Sequence, residues 1–219
     1  MFGRITPTYD DVNRVLSLGL DRGWRRRVVR LAGLRAGDRA ADICTGTGDL
    51  ALLLAAAVGQ QGEVVGIDFC SSMLEVAERK ASPLPQMRFA VGDALHLPLP
   101  DGHFQVATMA CGLRNLEDTR RGFAELRRIL EPGGRVLVLE LTRPEGWLRY
   151  LYYPYLFVLL PLVGGIVSRD FGAYRYLARS IARFLPVAEL LDQMREVGLR
   201  EVRAVPLLGG IATILCGTA

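Results

Sequence analysis

The sequence has very little lysine. Lys80 is the only lysine among 27 basic residues, and the arginines that supply the rest are spread along the chain. Proteins that bind nucleic acid usually carry a dense basic stripe or patch, and no such run occurs in a chain whose net charge is only +4. We therefore expect no nucleic-acid partner, whereas weak attraction to anionic membrane surfaces stays open.

Histidines and paired cysteines are also scarce. His96 and His103 lie in or beside one loop rich in proline and glycine, with no neighbouring cluster of carboxylates or cysteines. We expect no metal site, because metals need several such ligands close together. The four cysteines form no CxxC pair, which favours a reducing, cytoplasmic compartment.

The N-terminal segment has acidic residues where a signal peptide needs an apolar core, so we do not interpret it as a targeting segment. The helical spacing of its apolar residues predicts two helices before the first strand. These helices either cover a ligand pocket or only pack on the core. The chain is long enough, and apolar enough, for one domain with one full core.

The segment 39–49 predicts a strand, a glycine turn and the start of a helix. A short apolar run leads to Gly46, Thr47 and Gly48, and Asp49 then opens the helix-forming run LALLLAAAV. Glycine tolerates positive φ and lets a ligand approach the backbone, and the free N–H groups of a helix start face that ligand. A nicotinamide dinucleotide, another nucleotide-like cofactor and a turn without a ligand all fit this pattern.

Two further predicted strands end in acidic residues. Asp68 follows the strand 63–67, where a carboxylate can accept both hydroxyls of a ribose. Asp93 follows the strand 87–91, and a dinucleotide enzyme has no general need for it. Class I S-adenosylmethionine methyltransferases resemble this layout, with an acid after the third strand that accepts the adenine amino group. The alternative for Asp93 is a residue that caps a turn.

The rest of the chain completes an α/β pattern. Its periodicity predicts a strand at 106–109, a helix at 117–130 ended by glycine, a strand at 135–141, a helix at 187–197 and strands at 200–206 and 211–216. We expect a Rossmann-like fold of three α/β/α layers, with a seven-stranded, mostly parallel sheet and an antiparallel last strand.

Seven motifs in order carry a family resemblance: YDDVNRVLSLGLDRGWRR, DICTGTGD, GIDFCSSML, GDALHLPLPDGHF, GLRNLED, LEPGGRVLVLELTRP and YRYLARSIARF. Over essentially its whole length, the sequence resembles the menaquinone/ubiquinone-biosynthesis C-methyltransferases. The resemblance implies the class I methyltransferase fold and transfer of a methyl group from S-adenosylmethionine to a ring carbon of a prenylated quinol. Demethylmenaquinol is the expected acceptor and S-adenosylhomocysteine the expected product.

The resemblance also implies the cofactor residues, which fall on Gly46, Thr47, Gly48, Asp68, Asp93, Ala94 and Ala110. The family usually has serine where Ala110 and Cys70 stand, phenylalanine where Cys111 stands, and often histidine where Leu215 stands. Contacts through those side chains are therefore not carried over to this chain.

Carbon methylation of a quinol needs an ionised ring hydroxyl and, later, an acceptor for the ring proton. Arg114 is our candidate for stabilising the phenolate or for positioning a water that carries the proton; direct base action is less favoured because a guanidinium stays protonated. Asn115 and Tyr9 are expected to orient the ring, and Asp10 and Asn13 are weaker candidates. A salt bridge from Arg114 to Glu117 or Asp118 is the structural alternative.

The stretch 147–167 is unusually apolar. Residues 150–167 carry no charge over a length that could span a bilayer. Pro154, Pro161 and the pair Gly164 and Gly165 are expected to break the helix repeatedly, so we interpret the stretch as a lid or apolar wall for the prenyl tail. Its aromatic content also suits a membrane interface, and a buried helix or a homodimer face stays open.

We divide the single domain into an N-terminal helical cover (1–36), a cofactor-binding core (37–141), an apolar insertion (142–184) and a C-terminal helix with two strands (185–219). The protein is expected in the cytoplasm, peripherally attached to the cytoplasmic face of the membrane. Three alternatives stay open. The first is a methyltransferase for another lipophilic or phenolic acceptor, such as a benzoquinol; the second is a nicotinamide-dependent oxidoreductase, and the third is a non-catalytic membrane-associated binding module.

Overall fold

A seven-stranded sheet forms the centre of the fold. The computed structural model describes residue 17 and residues 19–144, 146–168 and 171–219, without the side chains of 166–168. Its strands are β1 Arg39–Ile43, β2 Glu63–Asp68, β3 Met87–Val91, β4 Phe104–Ala110, β5 Leu130–Leu141, β6 Arg200–Leu207 and β7 Ala212–Thr218. Their order is β3-β2-β1-β4-β5-β7-β6. Strands β1 to β5 pair in parallel, and β7 is antiparallel to β5 and β6, which confirms the predicted sheet.

Helices cover both faces of the sheet, as a parallel sheet requires. They are α1 Leu20–Ala32, α2 Asp49–Val58, α3 Ser71–Ala81, α4 Thr119–Arg128, α5 Leu148–Pro154, α6 Leu160–Ser168, α7 Phe171–Arg183 and α8 Val187–Glu196. Leu126 of α4 and Leu190 of α8 belong to the core on one face, and Val28 of α1 and Leu54 of α2 belong to the core on the other. The predicted three-layer arrangement is therefore confirmed.

The strand order reverses between β1 and β4. Chains that leave neighbouring strands in opposite directions open a crevice at the carboxyl edge of the sheet, where ligands of α/β proteins bind. The short 3₁₀ turn Leu113–Asn115 follows β4 at this edge.

The predicted glycine stop after α4 was wrong. The helix begins at Thr119 because the Asp118 carboxylate caps it, accepting the Arg121 N–H at 2.9 Å. It ends at Arg128 because Leu130 already pairs with Phe104 as the first residue of β5. Gly133 and Gly134 lie inside β5, where its register against β4 shifts.

The insertion forms a helical layer above the carboxyl edge. Contrary to expectation, its prolines do not break it: α5, a π-helical segment Tyr155–Leu159 and α6 follow one another directly. Leu156 and Leu160 pack against Tyr174 and Ala178 of α7 in a separate hydrophobic cluster. In the part of the chain that the structure describes, no helix is long and apolar enough to cross a membrane.

Candidate active site

A cavity of about 460 Å³ opens at the carboxyl ends of β1 to β4. Such a volume suits a small-molecule ligand. It brings together six of the residues chosen from the sequence, namely Gly46, Asp68, Asp93, Ala94, Ala110 and Asn115. We call it the first cavity.

Asp68 is held firmly at the edge of this cavity. Its carboxylate accepts the backbone N–H of Gly46 at 2.8 Å and that of Cys70 at 2.9 Å, so it ties the glycine turn to the end of β2. Burial raises the pKa of this carboxyl. Each carboxylate oxygen accepts one backbone N–H, so each keeps a further lone pair that can accept a ligand hydroxyl.

Asp93 caps a turn and also reaches the first cavity. Its Oδ1 accepts the Leu95 N–H at 2.9 Å, which caps the turn after β3, and the residue also lines the first cavity. Phe69 and Met73 add an apolar wall. The Phe69 side chain is 65 % exposed and offers a face for a planar ring; its position directly after Asp68 was the only sequence signal for it.

A second cavity, of about 140 Å³, adjoins the first. The two cavities share Cys44, Gly46, Ala110 and Cys111. Most of the remaining wall of the second cavity is apolar or aromatic and comes from α1 and the insertion, including Trp24, Tyr152, Tyr155, Leu160, Leu177 and Ile181. The wall of the second cavity also contains charged side chains, namely Asp21, Arg25, Asp42, Asp49 and Arg114. The site thus joins a chamber with acidic edges to one whose wall is partly apolar and partly charged.

The shared wall is strained and tightly packed. Cys44 and Cys111 follow the two central strands with φ of 55° and 58°, a region that non-glycine residues avoid. A Cβ added to Gly112 would lie 2.5 Å from the Cys44 Cβ and 2.8 Å from its Sγ. Burial raises the pKa of both thiols, so they stay protonated and do not act as nucleophiles.

We expect Gly112→Ala to lower the free energy of unfolding by about 2 kcal/mol, because overpacking pushes Cys44 and the glycine turn away from the cavity. Cys44→Gly removes the clashing atoms and suits a positive φ, so the double variant should regain most of that stability. Urea denaturation of both single variants and the double variant measures this coupling. Strictly additive effects would contradict the proposed contact.

Arg114 lies in the second cavity, paired with an acid that the sequence analysis missed. Its guanidinium forms an ion pair with Glu140 and donates to the Cys111 carbonyl at 2.9 Å, and its backbone N–H donates to Glu140 Oε2 at 3.1 Å. The side chains are 8 % and 0 % exposed. The salt bridge to Glu117 or Asp118, considered as the structural alternative, is not formed: Arg114 pairs with Glu140, while Asp118 caps α4 and Glu117 lines the first cavity.

Asp42 is a second acid that the sequence analysis missed. It is fully buried in β1 and accepts the hydroxyls of Thr45 and Thr108, both at 2.7 Å. Burial raises the pKa of this carboxyl to about 6. An acidic residue inside an apolar strand was the available signal for both Asp42 and Glu140, because such a residue needs a specific partner.

The remaining candidates are placed as follows. Asn115 accepts a hydrogen bond from the Tyr176 hydroxyl at 3.2 Å. Thr47 lines the second cavity and not the first. Gly48 is not among the described residues that line either cavity; it has φ of 82° and lies close to Ala77 of α3, and its part in cofactor binding stays a prediction. Tyr9, Asp10 and Asn13 lie outside the described residues.

The chain is similar in sequence to bacterial quinone-biosynthesis methyltransferases. It is 46 % identical to a demethylmenaquinone methyltransferase of Thermus thermophilus over 219 residues, which is 99 % of each chain. It is 43 % identical to a demethylmenaquinone methyltransferase of Deinococcus radiodurans, over 99 % of this chain and 90 % of that one. A ubiquinone/menaquinone biosynthesis C-methyltransferase of Geobacter sp. is 40 % identical, over 100 % and 94 % of the two chains.

Solved structures share its fold. A possible histamine N-methyltransferase of Thermotoga maritima, described as S-adenosylmethionine-dependent, superposes with a TM-score of 0.68 at 22 % identity, over 99 % of this chain and 97 % of that chain. A methyltransferase of Aquifex aeolicus with the same cofactor dependence gives a TM-score of 0.66 at 20 % identity, over 89 % and 88 %. At these identities the likeness concerns the fold.

The family model described as the ubiE/COQ5 methyltransferase family matches residues 1–219. The Rossmann-like sheet, the paired cavities at its carboxyl edge and the relatives that match over the full length agree with this match. The chain therefore belongs to the ubiE/COQ5 methyltransferase family.

Proposed function

We propose that this protein transfers a methyl group from S-adenosylmethionine to a ring carbon of a prenylated quinol, converting demethylmenaquinol to menaquinol. The observation that carries the proposal is the wall shared by an acid-edged cavity and a second, partly apolar cavity that contains the buried guanidinium of Arg114. The full-length relatives named demethylmenaquinone methyltransferase support the same reaction.

The first cavity fits the cofactor. Asp68 would accept the ribose hydroxyls, and Asp93, with the backbone at Ala94, would meet the adenine amino group. Gly46 has open space where a Cβ would stand, so its backbone is accessible to a ligand. When bound, S-adenosylmethionine supplies an electrophilic methyl group whose sulfonium charge disappears during the transfer, so alignment and exclusion of water matter most.

The proton of the ring hydroxyl would pass to solvent, and Arg114 in the second cavity would stabilise the resulting phenolate, which activates the ring carbon. A guanidinium stays protonated at ordinary pH, so it contributes a fixed positive charge, and a water that it positions would take the ring proton. The ion pair with Glu140 holds the Arg114 guanidinium in place. Glu140 is not among the described residues that line the first cavity. The apolar walls from the insertion would enclose the start of the prenyl tail.

Tyr152 would add a hydrogen-bond donor beside Arg114. It is 5 % exposed and lines the second cavity, and burial raises the pKa of its phenol. The hydroxyl therefore stays protonated near neutral pH and can donate to an acceptor oxygen, but it does not act as a base.

Removing this donor gives a testable effect. Tyr152→Phe is expected to lower kcat/KM for the quinol about fivefold to tenfold, because one hydrogen bond to a developing phenolate is lost. Affinity for S-adenosylhomocysteine should not change. Tyr153→Phe is the matched control, since Tyr153 faces outward and stacks on Phe157. Equal kcat/KM values for the two variants would show that Tyr152 does not contact the acceptor.

The proposed function is tested by two experiments on the purified protein. Isothermal titration with S-adenosylhomocysteine and with NADH should give one-site binding to the first alone; binding to NADH alone would overturn the proposal in favour of an oxidoreductase. Incubation with S-adenosylmethionine and reduced, short-chain demethylmenaquinone should give a product heavier by one methylene group. A benzoquinol, incubated in parallel, tests the second candidate acceptor.

We further propose that the protein works at the cytoplasmic face of the membrane as a peripheral protein. Prenylated quinols reside in the bilayer because of their long apolar tails, so the acceptor must be taken from a lipid surface.

A further inference from the structure

The outer side of the insertion exposes a row of apolar side chains. No charged residue occurs between residues 150 and 168, and large side chains of α5, the π-helical segment and α6 face outward. The Trp147 side chain is 73 % exposed and that of Val158 65 %. We call this surface the apolar row; it consists of Trp147, Tyr150, Leu151, Phe157, Val158 and Leu162. A continuous exposed patch of this kind marks an interaction surface.

Helix α7 carries a row of arginines on its outer side. Arg175, Arg179 and Arg183 are spaced four residues apart, so they share one face of the helix, and all three are exposed. The opposite face, with Tyr174 and Ala178, is buried against α5, the π-helical segment and α6. None of the three guanidinium groups forms a hydrogen bond or ion pair with any residue that the structure describes.

The two rows adjoin. The ring of Phe171, one turn before Arg175, occupies the space beside Gly165 of α6 where a Cβ would stand. Phe171 is itself 43 % exposed, so it links the apolar row to the arginines. From residue 146 to residue 186 the sequence has five arginines and one acidic residue, Asp170.

We propose that this face docks on an anionic lipid bilayer. The aromatic and aliphatic side chains of the apolar row enter the headgroup boundary, as amphipathic surfaces do, while the arginines contact lipid phosphates. The inference rests on the proposed function, because a bilayer is where a prenylated acceptor is found. A groove of about 540 Å³ beside Arg179 and Arg183 is also lined by Arg114, so the docking face adjoins the acceptor site.

Charge complementarity favours lipid over a second copy of the chain. A two-fold dimer through this face would use the same patch on both subunits and would bring two rows of arginines into one interface, whereas the sequence from 146 to 186 has one acidic residue and the adjoining groove adds only Glu117 among the described residues. Anionic lipid headgroups supply the missing negative charge.

Co-sedimentation with vesicles tests the inference. We expect the full-length protein to bind phosphatidylcholine vesicles that contain one third phosphatidylglycerol, and to bind pure phosphatidylcholine vesicles much less. The double variant Arg175→Gln/Arg179→Gln should bind the anionic vesicles about 25-fold more weakly, at about fivefold per arginine. The control Arg88→Gln/Arg195→Gln makes the same change in net charge at exposed arginines of β3 and α8 and should bind like the original protein.

Tryptophan fluorescence gives a second readout. Lipids brominated near the headgroup should quench the exposed Trp147 on docking, and Trp147→Phe should abolish most of the quenching because Trp24 lies at the second cavity. Equal binding to neutral and anionic vesicles, or equal binding by the two double variants, would overturn the inference. So would absence of vesicle binding together with a dimer in sedimentation equilibrium.

The same preparations separate this inference from the proposed function. Methylation of a short-chain, soluble quinol requires no membrane, and both double variants should retain it. Vesicle binding without methylation would support the docking face and contradict the proposed function. Methylation without vesicle binding would support the proposed function and contradict the docking face.

Discussion

Arg114→Leu is expected to lower the free energy of unfolding by about 3–5 kcal/mol and the rate of methylation by about 10²- to 10³-fold. Glu140 has no exposed side-chain surface, so removing the guanidinium leaves a carboxylate in the core without its counter-charge. The rate falls for a separate reason, since the fixed charge that would stabilise the phenolate is lost.

A double-mutant cycle separates the two effects. Replacing both members of a buried ion pair by apolar residues is often far less costly than replacing one, so Arg114→Leu/Glu140→Leu should recover part of the stability measured by urea denaturation. It should not recover activity, because the cation is still absent. A double variant that regains activity would show that Arg114 serves only to neutralise Glu140.

The ion pair between Arg120 and Glu196 provides the matched control. It is also an arginine–glutamate pair, but its side chains are 61 % and 51 % exposed. Exposed pairs contribute little, so Arg120→Leu should cost less than about 1 kcal/mol. If Arg114→Leu cost no more than this control, burial would not make the pair between Arg114 and Glu140 more costly to break than an exposed pair.

The architecture was predictable because its signals are local. A strand, a glycine turn and a helix follow one another at 39–58, and the acids Asp68 and Asp93 come directly after strands. In a parallel sheet those strand ends meet at one edge, so the sequence order alone brings Asp68, Asp93 and Gly46 to the first cavity.

The second cavity was less predictable because its contacts are not local. Glu140 reaches Arg114 because Ala110 of β4 is in register with Leu139 of β5, and no pattern in either segment specifies that register. Tyr152 lies inside because the insertion continues through a π-helical segment after Pro154, whereas proline alone predicts a break.

Asp68→Ala is expected to weaken binding of S-adenosylhomocysteine by about 3 kcal/mol, or about 150-fold. Two charge-assisted bonds to the ribose hydroxyls would be lost, each contributing about 1.5 kcal/mol. The N–H groups of Gly46 and Cys70 would also lose their acceptor, which loosens the glycine turn. Asp192→Ala is the control, since Asp192 is an exposed acid of α8 paired with Arg195.

The pH dependence of binding distinguishes a direct contact from a structural one. Burial raises the pKa of Asp68, and a protonated carboxyl cannot accept from both ribose hydroxyls as the carboxylate does. Affinity should therefore fall as the pH drops through that raised pKa, and Asp68→Asn, which cannot titrate, should lose this dependence while keeping the shape of the side chain. Isothermal titration across a pH series measures both quantities. Unchanged affinity in Asp68→Ala would show that Asp68 does not contact the cofactor. If Asp68→Asn binds more weakly but keeps the original pH dependence, the group that titrates is not Asp68.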